Sequence, residues 1–369
     1  MGAMNELINA TTVDSLARIL RTSDGPDFPH LLATTAGLDP LSLRQRTDLT
    51  SAAMVRDLEA AYGPSAYPHV AALFRRALAQ PDFTAWMIWP VTETAVTLAL
   101  RDTEFFDDCL ELLAELTGRL TAEFAIRRLL SADLDRALGV IQTWTSHPDE
   151  HVRRLASEGT RPYLPWAVRV PEITQRPEAT IPLLTALHQD PSEYVRRSVA
   201  NHLNDLARHA PELVVSTATS WRAADGTSLA TAWVIRHGLR TLIKKAHPGA
   251  LTLQGFAPVN VQVTGPRLDS QNVQLPGELS FEFEIVNDGD AESRLAVDYV
   301  VHYAKANGSQ AAKVFKLTAA TLAPGESRTF SKKHGFRQMT TRVHYSGTHA
   351  LELQVNGVRH GWTEFHVQA

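Results

Sequence analysis

One eight-residue segment of this chain returns, nearly unchanged, 43 residues further on. Residues 147–154 read HPDEHVRR and residues 190–197 read DPSEYVRR, so that Pro, Glu, Val and both arginines recur in register. Each segment has the composition of a helix start, with the proline expected in the first helical turn. A period of about 43 residues is typical of paired-helix HEAT-type repeats, and the pattern therefore predicts an α-solenoid.

The periodicity of the chain changes at about Gln254, which indicates two domains. Before this point apolar residues recur at spacings of three and four, as in residues 110–120, and predict helices. After it apolar and polar residues alternate, as in residues 279–285, and turn sequences such as Asn-Gly separate short strands. The predicted fold is multidomain α + β, with an N-terminal α-solenoid of HEAT-like repeats over 4–254 and an immunoglobulin-like β-sandwich over 255–369.

The composition is that of an ordinary globular protein of 369 residues. Its one cysteine, Cys109, excludes an internal disulfide and suits a reducing compartment. No apolar run approaches the roughly 20 residues of a membrane span, and we expect a cytoplasmic monomer without membrane contact. His147 and His151 stand at i,i+4 spacing, but no cysteine or carboxylate completes a zinc set, so we expect neither a metal nor a cofactor.

The net charge of −4 conceals an uneven distribution. Residues 1–118 contain 8 Lys and Arg against 16 Asp and Glu, whereas residues 119–250 contain 17 against 13. The basic region therefore coincides with the repeated arginines, which stacked repeats place in a row along one surface. Such a row favours a polyanion such as a phosphate backbone, while arginines that only solvate helix faces are the simpler interpretation.

The residues with the most distinctive chemistry follow the first arginine pair. Residues 155–166 read LASEGTRPYLPW, which places Glu158 at the end of a helix and Trp166 after a proline-stiffened turn. Glu158 stands four residues after Arg154, so an intrahelical ion pair is its simplest role, and burial in the core is the simplest role of Trp166. By the same spacing argument Asp205 would pair with Arg208 on the next turn.

The simplest partner of Glu123 is Arg127, again four residues further along the chain.

Read together, residues 155–166, residues 195–205 (VRRSVANHLND) and residues 236–245 (RHGLRTLIKK) resemble the AlkC branch of the AlkC/AlkD HEAT-like DNA glycosylases. An immunoglobulin-like domain is a known feature of some AlkC-type members. The resemblance implies excision of N3-alkylated bases, chiefly 3-methyladenine and 3-methylcytosine, from duplex DNA. It also implies that the lesion stays stacked, unlike the flipped base of most glycosylases.

An N3-alkylated adenine or cytosine is cationic, so its glycosidic bond is weak and its departure needs little protonation. Positive charge then moves onto the deoxyribose, as in an oxocarbenium ion, and nearby anions stabilise it. The resemblance implies that Glu158 and Asp205 supply this field and position water against C1′. It implies further that Trp166 packs its π face on the cation and that Glu123 is an additional functional acid. Because no lyase-type lysine motif is present, we expect monofunctional cleavage that leaves an abasic site.

Basic side chains are expected to contact the phosphates that flank the lesion, where they position the duplex without reading its sequence. The candidates in the helical region are Arg153, Arg154, Arg161, Arg196, Arg197, Arg236, Arg240, Lys244 and Lys245. In the C-terminal domain, Lys332, Lys333 and Arg337 belong to the basic stretch 332–342, which either reaches the DNA or protects a strand edge from pairing.

The alternative function is that of a non-catalytic HEAT–immunoglobulin scaffold that grips DNA or a protein partner. A scaffold has no need for acids inside an arginine-lined groove, because an acid there repels phosphate. The orientation of Glu158 and Asp205 therefore separates the hypotheses. Acids that point away from the groove would favour a DNA-structure binder related to AlkD but lacking activity.

Overall fold

The computed structural model describes residues 2–337 and 343–368 and divides the chain into two compact units, Met1–Gly238 and Leu239–Ala369. The division precedes the predicted boundary at 254/255, because the chain just before that boundary packs with the strands that follow it. Leu251 lies so close to Gly357 that a Cβ on this glycine would stand 2.8 Å from Leu251 Cδ1. Residues 338–342, part of the basic stretch 332–342, lie outside the described residues.

The first unit is helical, as the spacing of its apolar residues predicts. Its α-helices are α1 (Gly2–Asn5), α2 (Ala10–Thr22), α3 (Pro29–Ala33), α4 (Leu43–Tyr62), α5 (Tyr67–Ala77), α6 (Ile88–Ala99), α7 (Phe106–Leu116), α8 (Ile126–Ala132), α9 (Leu134–Thr143), α10 (Glu150–Glu158), α11 (Pro171–Gln175), α12 (Ile181–Leu187), α13 (Glu193–Leu206), α14 (Pro211–Ala224) and α15 (Leu229–Gly238). Short 3₁₀ helices lie at Thr34–Gly37, Ala85–Met87, Thr103–Phe105, Trp144–Ser146 and Pro177–Thr180.

The two copies of the repeated segment begin the equivalent helices α10 and α13, which pack against each other, and α15 packs next against α13. Asp149 and Ser192 are the N-cap residues of α10 and α13, and the Asp149 side chain accepts a hydrogen bond from the backbone of His151 at 2.8 Å. Pro148 and Pro191 therefore lie one residue before the N-cap. The expectation that they occupy the first helical turn is wrong; before the N-cap, as in the first turn, the missing N–H of proline removes no intrahelical hydrogen bond.

Arg153 and Arg196 occupy equivalent positions in the two copies and make equivalent contacts. In each, Nη1 donates to the backbone carbonyls six and five residues earlier, at 2.8 and 2.9 Å in the first copy and 2.6 and 2.9 Å in the second. Arg153 also binds Asp190 of the second copy through Nε at 2.7 Å and Nη2 at 3.2 Å. Part of the sequence repetition is therefore architectural, since these arginines close the loop before each helix.

The second unit begins with two short helices and continues as a sandwich of two sheets. The elements are α16 (Arg240–Lys244), α17 (Pro248–Leu253), β1 (Val261–Leu268), β2 (Asn272–Gln274), β3 (Gly277–Asn287), β4 (Ser293–Ala304), β5 (Gln310–Leu322), β6 (Ser327–Phe336), β7 (Gly347–Val355) and β8 (Val358–Gln368). Within the described residues, one sheet has the order β1-β3-β6 and the other β2-β8-β7-β4-β5. All pairs are antiparallel except β2 with β8.

The alternating residues that predicted strands form the core between the two sheets. Phe281 and Phe283 from one sheet pack with Tyr299, Leu351 and Leu353 from the other. The predicted fold class, helical repeats followed by an immunoglobulin-like sandwich, is confirmed. No helix among the residues described is both long and apolar enough to cross a membrane.

A buried histidine between the repeats makes the stability of the first unit depend on pH. His202 of α13 lies within hydrogen-bond distance of the Ser157 carbonyl, 2.9 Å from Nδ1, and of the Thr180 hydroxyl, 3.2 Å from Nε2. Burial lowers its pKa to about 3. The unfolded chain takes up this proton near pH 6.5 and the folded chain does not, so stability is lost as pH falls below about 6.5, by up to about 1.4 kcal/mol per pH unit.

We therefore expect His202→Gln to flatten the decrease in unfolding free energy between pH 7 and pH 5, measured by denaturant titration at each pH. His69→Gln, which changes an exposed histidine of the same unit, serves as the control and should leave the decrease as in the wild type. An equal pH dependence in wild type and His202→Gln would contradict the assignment.

Candidate functional site

The last residue of α10, Glu158, is a buried acid with three partners. Its Oε1 accepts from Arg161 Nη1 at 2.6 Å and its Oε2 accepts from the Ser198 hydroxyl of α13 at 2.6 Å. The ion pair with Arg154 that the i,i+4 spacing predicts is present, but at 3.5 Å it is the longest of the three contacts. Glu158 is therefore held mainly by contacts outside its own helix.

Asp205 of α13 is joined to Glu158 through a shared arginine. Arg161 Nε donates to Asp205 Oδ2 at 2.9 Å, while Nη1 of the same guanidinium binds Glu158. The Asp205 side chain is only 4% exposed, and burial raises its pKa above the ordinary value of 3.8, against the opposing effect of Arg161. The predicted ion pair with Arg208 is not formed, because the Arg208 guanidinium lies over the ring of Tyr163 instead.

Glu123 precedes α8 and is held in the same way by an arginine from another helix. Its Oε2 accepts from Arg154 Nη1 at 2.5 Å and from the Thr121 hydroxyl at 2.8 Å. The expected i+4 partner, Arg127, points instead to backbone carbonyls. The interpretation of Glu123 and Arg127 as an intrahelical pair is therefore wrong.

Five side chains thus alternate in charge along one continuous chain of contacts. We call Glu123, Arg154, Glu158, Arg161 and Asp205 the acid cluster. Three carboxylates face two guanidiniums, so the cluster carries an excess negative charge when all its members are ionised. All three acids are buried.

Trp166 lies in the loop between α10 and α11 and is 63% exposed. It lines a cleft of about 350 Å³ together with Trp86, Glu123 and Glu158, and with Leu120, Thr121, Phe124, Arg161, Leu164 and Pro165. Its backbone adopts φ +63°, a conformation that is strained for a bulky side chain. The prediction that Trp166 is a core residue is therefore wrong. Its indole is exposed to solvent at the edge of the cleft that Glu123 and Glu158 line.

An aromatic wall that sequence reasoning missed stands behind the cleft. Trp89 stacks on Phe124 at a centroid distance of 4.4 Å, and Trp86 lies 6.0 Å from Trp89. Trp89 and Phe124 are buried in a small core with Leu43. The sequence feature that could have indicated this aromatic cluster is the pair of tryptophans within four residues.

Arg127, which the sequence suggested only as an ion-pair partner of Glu123, holds the loop that carries Trp166. Its Nη1 donates to the carbonyls of Gly159 at 3.0 Å and Arg161 at 2.7 Å, and its Nε donates to the carbonyl of Val168. Burial and the nearby arginines lower its pKa to about 10, which leaves it charged at neutral pH. One buried guanidinium thus fixes both ends of the loop, and the strained conformation of Trp166 is maintained by that constraint.

The predicted DNA-contacting arginines of the first unit fall into three groups. Arg153 and Arg196 are engaged with backbone carbonyls, and Arg154 and Arg161 belong to the acid cluster. Arg197 is exposed and pairs with Glu193 of its own helix at 2.6 Å, and Arg236 is exposed on α15. The DNA contacts of these side chains stay predictions.

The remaining candidates, Arg240, Lys244, Lys245, Lys332, Lys333 and Arg337, all belong to the second unit. Lys244 and Lys245 are exposed at the end of α16, and Lys332 and Lys333 are exposed on β6. Arg337 is exposed and lies 3.6 Å from Glu278. In residues 2–337 and 343–368, no group of three or more His, Cys, Asp or Glu side chains is arranged so that it could hold a metal ion.

Known proteins resemble this chain in both of its units. A family model described as "Uncharacterised protein YhaZ, C-terminal Ig-like domain" matches residues 262–369. The protein YhaZ of Bacillus subtilis (strain 168) is 32% identical over 361 residues, which cover 97% of each chain. The alkylpurine DNA glycosylase AlkC of Pseudomonas fluorescens, solved bound to DNA containing an abasic site analog, matches with a TM-score of 0.82 and 34% identity over 100% of both chains. The chain belongs to the AlkC family. The resemblance first drawn from short motifs of the AlkC type is confirmed, and it extends over the immunoglobulin-like domain.

The contacts of Arg127 predict that it is among the most important residues for the stability of the first unit. We expect Arg127→Met to lower the free energy of unfolding by about 3 kcal/mol or more, because three backbone carbonyls lose a fully buried, charged donor. Arg128→Met is the matched control, since this neighbour is half-exposed and its main contact is the Thr97 hydroxyl at 2.7 Å. Denaturant titration of both variants measures the difference. Equal destabilisation by the two substitutions would contradict the role assigned to Arg127.

Proposed function

We propose that this AlkC-family protein is a monofunctional DNA glycosylase that excises cationic N3-alkylated bases, such as 3-methyladenine and 3-methylcytosine, from duplex DNA. The observation that carries the proposal is the acid cluster, in which buried carboxylates border a cleft edged by Trp166. The AlkC relative from Pseudomonas fluorescens, an alkylpurine DNA glycosylase solved with DNA containing an abasic site analog, supports the same class of reaction.

The electrostatics of the acid cluster suit a transition state in which positive charge develops on the sugar. An anion about 4 Å from such a charge, at an effective dielectric constant of about 20, stabilises it by about 4 kcal/mol. This energy corresponds to roughly a thousandfold in rate. Arg154 and Arg161 reduce the field of the acids, but their contacts also fix Glu158 and Asp205 in position.

The proposed reaction needs a nucleophile and a proton acceptor more than a strong acid. The bond from C1′ to the base nitrogen breaks, and its electron pair neutralises the cationic base, which leaves without protonation. Water forms the new bond to C1′ and gives up a proton. Asp205 is the best-suited acceptor, because burial raises its pKa. The product in the DNA is an abasic site.

We propose that the lesion stays stacked in the duplex while its deoxyribose faces the acid cluster. Enzymes that flip a base bind it in a snug pocket between apolar or aromatic side chains. Here Trp166 protrudes from the surface, and its indole face is available to pack on the cationic sugar or base. This arrangement brings protein groups to the duplex rather than a base into the protein.

The alternative of a non-catalytic scaffold is less well supported by the position of the acids. Glu123 and Glu158 both line the cleft beside exposed Trp166 rather than pointing away from it. Carboxylates at a groove that only bound phosphate would weaken that binding. The following experiment distinguishes a catalytic role of these acids from a network of ion pairs that only stabilises the fold.

Glu158→Gln tests the central acid, since it preserves the shape of the side chain and removes its charge. We expect release of 3-methyladenine from N-methyl-N-nitrosourea-treated duplex DNA to fall by about 100-fold or more, while affinity for DNA is retained. Glu172→Gln, which neutralises a half-exposed acid of the same unit, is the control. If the wild type binds DNA but releases no base, the scaffold is the better account. Equal release by both proteins would assign the chemistry to Asp205 or Glu123.

The pH dependence of excision tests the role of Asp205. Because its pKa is raised, the carboxylate takes up its proton at a higher pH than an ordinary aspartate, so the rate should fall on the acid side with a midpoint above 3.8. Single-turnover rates between pH 4 and 8, corrected for spontaneous loss of the base, measure this limb. We expect Asp205→Asn to be slow with a weaker acid limb, whereas Asp135→Asn, an exposed control, should match the wild type. An acid limb that is unchanged in Asp205→Asn would exclude this residue as the proton acceptor.

A further inference from the structure

Two arginines that the sequence did not suggest as DNA contacts, Arg169 and Arg208, meet at one tyrosine beside the acid cluster. The guanidinium carbon of Arg169 lies 4.2 Å from the ring centroid of Tyr163, and that of Arg208 lies 4.4 Å from it. The imidazole of His209 stacks on the same ring, with an interplanar angle of 17°. Arg169, Arg208 and His209 are all exposed, and Tyr163 is half-buried. We call these four residues the tyrosine platform.

The two guanidiniums of the platform differ from the arginines of the acid cluster in having no carboxylate partner in the part of the chain that the structure describes. Arg154 and Arg161 are neutralised within the acid cluster, whereas Arg169 and Arg208 make no ion pair and no side-chain hydrogen bond with any part of the chain that the structure describes. Two like charges on one ring repel each other, and an anion bound between their edges would relieve that repulsion. A guanidinium that stacks by its face also keeps its N–H groups directed outward, in the geometry that binds phosphate oxygens.

The position of the platform relates it to the candidate site. Tyr163 belongs to the same loop as Trp166, and Arg208 follows the end of α13, three residues after Asp205. The charge of Arg208 acts on the Asp205 carboxylate, and the charge of Arg169 acts on Arg127, which holds the loop. An anion on the platform would therefore lie next to the acids without entering the cleft.

We infer that Arg169 and Arg208, oriented by stacking on Tyr163, form a binding site for a backbone phosphate of the DNA strand beside the reacting nucleotide. This inference rests on the proposed function for the identity of the ligand. The site balances the acid cluster, because a phosphate held here places the deoxyribose near carboxylates that would otherwise repel the backbone. It reads no base sequence.

The test is the salt dependence of binding to an undamaged DNA duplex, which requires no catalysis. Fluorescence anisotropy titrations at several salt concentrations give the slope of log affinity against log salt for Arg169→Gln, Arg208→Gln and the double variant. Each lost phosphate contact should reduce the magnitude of this slope by about 0.9, and the double variant should show the larger reduction. Arg176→Gln is the control, because this half-exposed arginine is already paired with Asp135 and Glu172. A double variant with the wild-type slope, or a control with an equal reduction, would overturn the inference.

A second pair of variants tests the platform without changing its charge. Tyr163→Phe keeps the ring and should retain the wild-type salt slope, whereas Tyr163→Leu removes the ring and should lower both affinity and slope. Identical behaviour of the two variants would contradict the orienting role of the ring. If Arg169→Gln and Arg208→Gln weaken binding of duplex RNA but leave binding of duplex DNA unaffected, the site belongs to another ligand.

The inference and the proposed function fail in different experiments. If Glu158→Gln excises bases as well as the wild type while the arginine variants lower the salt slope, the phosphate site stands and the central acid falls. If excision depends on Glu158 while the slopes are unchanged, the enzyme stands and the phosphate site falls.

Discussion

The guanidinium of Arg161 is the contact on which the candidate site depends. It joins the last residue of one repeat helix, Glu158, to Asp205 of the next repeat, and so holds two acids in place that would otherwise repel each other. Buried charges are stable only when they are paired and hydrogen-bonded, because leaving water costs several kcal/mol per ion in real proteins. Ser198 supplies a further hydrogen bond to Glu158, so the packing of α10 on α13 and the electrostatics of the cleft are a single arrangement.

The backbone before and after the acids is held by a different kind of contact. Arg153 and Arg196 donate to carbonyls in the loops that open the helices, and Arg127 donates to carbonyls at both ends of the loop that closes α10. Arginine suits this task because one planar group carries several donors in a fixed geometry. The basic residues of the middle region thus divide between loop closure, neutralisation of acids and an exposed remainder available to a polyanion.

The sequence predicted the architecture well, because architecture follows from periodicity. The 43-residue repeat and the alternation after Gln254 predicted the helices and the strands, and both are present. Resemblance to known motifs also singled out Glu123, Glu158 and Asp205, which the structure joins in one cluster through shared arginines. The sequence failed for their partners, since i,i+4 spacing describes neighbours on one helix only. Glu123 and Asp205 are instead bound by arginines from outside their own helices, and Arg208 stacks on Tyr163.

Two positions show why such failures concentrate at the site. A buried arginine such as Arg127 has no signal in composition, because its partners are carbonyls that every residue carries. Trp166 looked like a core residue, since its hydrophobicity normally decides its location. Trp166 departs from that rule because its ring is exposed, and it also has a positive φ, which glycine or asparagine usually adopts.

The backbone conformation of Trp166 sets two requirements of the chain against each other. At φ +63° a glycine would relieve the strain and stabilise the loop, yet it would also remove the indole from the edge of the cleft. Thermal stability and the proposed role of Trp166 in recognition therefore favour different residues at this one position. Proteins commonly retain such compromises where a binding surface requires them. Selection of this protein for heat resistance alone, in the absence of its ligand, should thus lead to loss of the tryptophan.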